Sequence, residues 1–266
     1  LGRTMAIWGT FGPDNSIMSR WFSFGVSPIG PPQTRNSSTV GRRWSPVAQF
    51  RSAGRFGLAW TEFASEDADI TFMAFDTAGN RLLGSEPLLN DDLIGAPATR
   101  PSAVNSSDFL ELFAYQSRQH DDGDIYVSCV SHAGVKPYPS QRVNQDTGYN
   151  LQAEPYVTKS PRGCLVVWLD ARAINGSTGQ RIFGRYGNLL GLFSLPEFII
   201  TDSTQTAIKS SPKAISTAFG RGLVVWLDRR SGSSQVYGRW LAASGELDGS
   251  EFLNISISEN QRLAVR

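Results

Sequence analysis

Leu165-Val166-Val167-Trp168-Leu169-Asp170 and Leu223-Val224-Val225-Trp226-Leu227-Asp228 are nearly the same phrase, 58 residues apart. Weaker copies lie upstream at Met5-Ala6-Ile7-Trp8, Gly57-Leu58-Ala59-Trp60 and Glu111-Leu112-Phe113-Ala114-Tyr115, so an aromatic residue closes a short apolar run five times. The aromatics follow one another at steps of 52, 55, 53 and 58 residues, and the step from Trp226 past Arg266 back to Trp8 is 48. Spacing that stays nearly regular around a closed circle divides the whole chain into five units. A period near fifty built from short strands implies a closed array, because one such unit cannot bury both of its faces alone.

The last copy shows the grammar of a unit. Pro212-Lys213-Ala214-Ile215-Ser216, Gly222 to Trp226, Gln235 to Trp240 and Ser250 to Asn254 are four strand-length segments, separated by stretches rich in Gly, Ser, Arg and Asp that make turns. In the other copies the first strand is read as starting at Pro46, Pro101 and Pro155, where a missing N–H does least harm, and the third at Ile17, Ile70, Ile125 and Ile182. No segment carries a helical period, so the chain reads as all-β, with four-stranded antiparallel meanders. The second strand is continuously apolar because both faces of a unit pack on neighbours. Its Trp is the wedge between units, and truncating Trp226 to Ala is expected to cost about 3–5 kcal/mol.

Gln261 to Arg266 matches the innermost strand of the other copies, while Leu1 to Trp8 matches the second. The first blade is therefore expected to be closed by the C-terminal strand, leaving no terminal edge unpaired. The expected single domain spans 1–266, with blade 1 shared between 1–38 and 261–266 and the others near 45–92, 100–146, 154–203 and 211–258. The chain resembles a five-bladed β-propeller over essentially its full length. The apolar run ending Trp-Leu-Asp with Arg soon after (Asp170, Arg172; Asp228, Arg229, Arg230) resembles degenerate repeats of secreted or surface proteins of bacteria. It lacks the Gly-His signature of WD repeats, the Gly-Gly pair of kelch and the sialidase box. In blade number it is similar to an invertebrate lectin that binds amino sugars.

Composition excludes several functions. A formal charge of +1 offers no broad field to nucleic acid or an acidic membrane, and no run of eighteen apolar residues occurs, so neither partner is expected. Of 25 cationic residues only four are Lys, and Arg suits planar hydrogen bonding to carboxylates and sugar hydroxyls. Cys129 and Cys164 read as buried thiols, and His120 and His132 lack zinc-ligand spacing, so no cofactor is expected. The run His120-Asp121-Asp122-Gly123-Asp124 is a candidate calcium loop without EF-hand spacing, the ligands being Asp121, Asp122 and Asp124. The chain begins inside a strand, which leaves room for a leader or further domain ahead of it, and the resemblance implies an extracellular or cell-surface location.

A glycoside hydrolase on this fold needs a carboxylate pair projecting from the inner strands. Those strands, read from Pro46, Pro101, Pro155, Pro212 and Arg262, contain no Asp or Glu, so no enzyme activity is expected. The recurring acids Glu62, Asp170 and Asp228 read as caps of the turn between strands two and three. Arg20, Arg185 and Arg239 read as pairing within the blade.

What remains is a binding surface where the strand 2–3 loops and the inter-blade links share one side of the ring. The candidate ligand-binding residues are Arg43, Trp44, Tyr149, Asp170, Arg172, Asp228 and Arg229, with exposed aromatics offering a sugar an apolar face. The expected function is a non-enzymatic module binding a glycan or another extracellular surface ligand. The alternatives are a protein-interaction scaffold with a surface-protein ligand and a glycoside hydrolase. Asn-x-Ser sequons stand at Asn36, Asn105, Asn175 and Asn254.

Overall fold

A computed structural model of the protein describes residues 2–256 apart from 13–14, 39–40, 52–53, 65–66, 92–94, 120–122, 175, 177, 203–205 and 218–219. The described residues form five antiparallel sheets, without a helix. Blade 1 contains β1 (Thr4–Gly9), β2 (Ile17–Phe22) and β3 (Pro28–Thr34), and blade 2 contains β4 (Arg42–Phe50), β5 (Phe56–Ala64) and β6 (Asp67–Phe75). Blade 3 runs β7 (Ala98–Asn105), β8 (Leu110–Ser117), β9 (Asp124–Ser131) and β10 (Gln141–Arg142). Blade 4 runs β11 (Gln152–Ser160), β12 (Gly163–Asp170), β13 (Arg181–Gly187) and β14 (Phe198–Ile199). Blade 5 runs β15 (Lys209–Ser216), β16 (Gly222–Asp228), β17 (Gln235–Leu241) and β18 (Leu247–Ser256). The fold is the expected all-β propeller, each sheet a meander in chain order.

Four strands per blade holds for blades 3, 4 and 5 only. Blades 1 and 2 show three, and in blade 2 the fourth position is reduced to isolated bridges, Thr71 to Leu88 and Phe75 to Arg81. Pro87 in that segment has no N–H to give a ladder. The closing strand expected at 261–266 lies outside the described residues.

The repeated apolar phrase is explained by where alternate side chains go. Cys164, Val166 and Trp168 of β12 pack with Leu112, Ala114 and Val127 of blade 3, while Leu165, Val167 and Leu169 pack with Ala214, Val224 and Trp226 of blade 5. A strand buried on both faces has no polar side to alternate with. In blades 2 to 5 the repeat aromatic faces the preceding blade: Trp60 joins blade 1, Tyr115 blade 2, Trp168 blade 3 and Trp226 blade 4, all fully buried.

Polar staples reinforce these junctions. Arg185 Nη1 donates to the Val143 carbonyl at 2.7 Å, Arg239 Nη1 to that of Ile200 at 2.9 Å, and Ser128 Oγ to that of Leu89 at 2.5 Å. Each donor lies in a third strand, three residues beyond its first apolar residue, and reaches the end of the previous blade. Arg185 and Arg239 also bond their own blades through Nε, to the Leu195 carbonyl in a loop and to the Gly249 carbonyl in β18. Asn36, Asn90 and Asn144 accept from the N–H of Ile17, Ile70 and Ile125 at 2.7–2.9 Å, with Thr201 replacing Asn for Ile182. The sequon at Asn36 is thus buried and bonded.

Cys129 and Cys164 are free, buried and in one apolar cluster. Burial pushes their thiols up to about 11 and about 12 respectively. Because the thiolate is the reactive form, both should resist a maleimide or iodoacetamide at neutral pH in the native protein and react once it is unfolded. Mass-spectrometric counting of adducts before and after denaturant checks this; rapid native labelling of either would contradict it.

Candidate functional site: a cavity on the propeller axis

The prolines expected to open the inner strands stand inside them. Opposite the single Trp60 are Ser45 and Pro46, opposite Tyr115 are Arg100 and Pro101, opposite Trp168 are Glu154 and Pro155, and opposite Trp226 are Ser211 and Pro212. Each is a β-bulge, two residues against one, in which a proline lacking an N–H interrupts no regular ladder. The four residues before proline all take left-handed conformations: Ser45 at φ 50, Arg100 at 57, Glu154 at 55 and Ser211 at 54. Non-glycine residues pay a steric cost there, and pre-proline sterics favour extended backbone instead. Strain repeated at one level of four blades is the kind that clusters at ligand sites.

Those bulges line a cavity of about 750 Å³, walled by Ser45 to Ala48, Arg100 to Ala103, Glu154 to Tyr156 and Ser211 to Lys213. It lies where the inner strands of four successive blades converge, towards the ends at which the inter-blade links enter. Its size suits one or a few sugar units.

Glu154 is the carboxylate in this wall. Its Oε2 accepts from the backbone N–H of Ser211 at 2.5 Å, and its Oε1 faces Arg100 Nη1 at 3.2 Å. The side chain remains 28% exposed, so it is held from two neighbouring blades yet reachable. On the other flank the Lys213 ammonium lies 4.5 Å from the centroid of the Tyr156 ring. Burial lowers the Lys213 pKa, with the charge of Glu154 opposing the shift, and burial raises that of the Tyr156 phenol, which keeps its proton.

The expectation that the inner strands carry no acid is therefore corrected. Reading each strand from its proline begins one residue too late and passes over Glu154. The signal was present as four X-Pro pairs at one repeat position: Ser45-Pro46, Arg100-Pro101, Glu154-Pro155 and Ser211-Pro212.

The structure disperses the other candidates. Asp170 and Asp228 have no exposed surface. Each accepts from the indole of its own repeat aromatic, Trp168 at 3.1 Å and Trp226 at 3.2 Å, and from the backbone N–H two residues on, which is the expected turn cap. Arg172 is clamped between Asp170 and Glu197, and Arg230 between Asp228 and Glu251. Burial would raise the Asp228 carboxyl, but the bonds from Arg230 and Trp226 and the charge of Lys209 hold it below the usual range. Arg43 is buried and ion-paired with Glu62, whose other oxygen accepts from the Trp60 indole at 3.3 Å. Trp44 is half-buried with its ring 4.1 Å from that of Phe63. Arg229 is exposed and bonded to Ser234 at 3.0 Å, and Tyr149 is 84% exposed.

Of the calcium candidates, Asp121 and Asp122 lie outside the described residues. Asp124 is buried and bonded to Arg142 and Asn144, both at 2.7 Å. Among the described residues no group of three or more His, Cys, Asp or Glu is placed to hold a metal ion, and no helix is long and apolar enough to cross a membrane.

No family model matches the chain, and no curated protein matches it. Solved structures do. An endo-arabinase of Bacteroides thetaiotaomicron is 13% identical at a TM-score of 0.52, covering 98% of this chain and 92% of its own. An α-L-arabinofuranosidase of Fusarium graminearum, from glycoside hydrolase family 93 and in complex with arabinobiose, is 12% identical at 0.52, with 95% and 92% covered. A protein of unknown function from Dyadobacter fermentans is 9% identical at 0.56, covering 79% of this chain and 68% of that one. At such identities the likeness establishes the β-propeller fold. The shared fold also overturns the expectation of a non-enzymatic recognition module and of no enzyme activity, since the solved structures that carry it include an endo-arabinase and an α-L-arabinofuranosidase.

Proposed function

We propose that the chain is a glycoside hydrolase whose active site is the axial cavity, with Glu154 as its working carboxylate. The supporting observation is the placement of Glu154, lifted onto the axis by a strained bulge and fixed by the Ser211 N–H and the Arg100 guanidinium while still reachable. Both partners donate, which suits a charged carboxylate acting as base or nucleophile at the anomeric carbon. Tyr156, kept protonated, gives the leaving oxygen the proton that a second carboxyl would otherwise supply, and the donors of Lys213 hydrogen-bond sugar oxygens.

The test is release of reducing ends from arabino-, xylo- and uronate-containing oligosaccharides. Turnover is expected on at least one class, and Glu154→Gln should reduce it by about 10²–10⁴-fold with the unfolding midpoint unchanged. Absence of turnover across the panel would defeat the hydrolase reading. Turnover undiminished in E154Q would move the chemistry away from Glu154.

A further inference from the structure

The axial wall carries more positive charge than its one carboxylate balances. Arg100 and Lys213 face Glu154 from the neighbouring blades on either side, and only Arg100 is within ion-pairing distance of it. Among the described residues, the Lys213 ammonium has no hydrogen-bond or ion-pair partner. Its contact is the face of the Tyr156 ring. The ammonium is reached by solvent in the cavity, so its three donors are open to an arriving acceptor. The Arg100 side chain is 56% exposed, so most of its donor edge remains open to a ligand.

We propose that the axial cavity takes an acidic sugar, a hexuronate unit of a polysaccharide, whose carboxylate is seated by Lys213 with Arg100 beside it. This rests on the hydrolase reading for its sugar and on the Lys213 environment for its acid. Three features select that ligand together. The cavity holds a sugar-sized group, the half-buried Tyr156 ring provides apolar surface for a pyranose face, and the surplus cation supplies the ion pair. A neutral pentose would leave the ammonium unpaired, whereas a carboxylate on the ring satisfies it and leaves Glu154 free for the anomeric centre. Lys213 is in this sense a specificity-determining residue.

The discriminating experiment is calorimetric titration of the full chain with oligogalacturonate and with its methyl ester, which removes only the charge. The free acid should bind at least about 10-fold more tightly, with a preference that shrinks as salt is raised. Lys213→Met should abolish the preference, and Lys213→Arg should retain part of it; thermal melts of both variants confirm that they fold. Equal binding of acid and ester, no binding of either, or a preference that survives K213M would overturn the proposal. Reducing-end release from the same ligands separates the two readings. Charge-selective binding without cleavage of any glycan removes the hydrolase and leaves the acid seat, while cleavage of neutral oligosaccharides without charge preference does the reverse.

Discussion

Trp226→Ala is expected to lower the unfolding free energy by about 3–5 kcal/mol. The indole is fully buried between β16 and blade 4, against Leu165, Val167, Ile182 and Ile200. Truncation also removes the N–H that donates to Asp228 at 3.2 Å, at the level of the Ser211-Pro212 bulge. Chemical denaturation monitored by circular dichroism measures the loss, and Tyr149→Ala, at 84% exposure, is the control that should move by less than about 0.5 kcal/mol. A loss near zero for W226A would mean that the repeat aromatic is not the wedge that joins blades.

Glu111→Ala is expected to cost a comparable amount, about 3–5 kcal/mol, by a different route. Glu111 is completely buried where blades 2 and 3 meet, and its Oε1 receives both Arg51 Nε at 3.1 Å and His132 Nε2 at 2.8 Å. The Arg51 side chain is 2% exposed, so removing its carboxylate strands a charge away from water. Gly57→Ala probes the same cluster from outside. A Cβ at Gly57 would stand 1.8 Å from Glu111 Oε2, and the two bonds on Glu111 resist its retreat. Both variants should show lowered denaturation midpoints, with Glu111→Gln intermediate because an amide oxygen can still accept. Wild-type stability in E111A would show that Arg51 finds another partner at no cost.

The apolar phrase ending in Trp was legible because its information is local. Alternate residues of Leu165 to Leu169 meet opposite neighbours, so the strand is apolar throughout and the repeat shows by inspection. The turn-capping carboxylates were equally legible, since Asp170 and Asp228 bond a backbone N–H only two residues away. Harder to read were the contacts these groups make through space. Nothing in the spacing of Arg185 or Arg239 announces that they bond the preceding blade, and Glu111, Arg51 and His132 meet across large sequence separations.

By itself, the sequence determined five units, their all-β character and the inter-blade role of the aromatics. These follow from periodicity and turn chemistry, which act over a few residues. Only the tertiary structure decided what lines the axis. A two-for-one bulge shifts the alternation of a strand, so the side on which Glu154, Arg100 or Lys213 emerges depends on backbone conformations at Glu154-Pro155 and its equivalents. Those conformations are strained locally and are held by the packing of four blades around one centre, an interaction that no stretch of sequence contains.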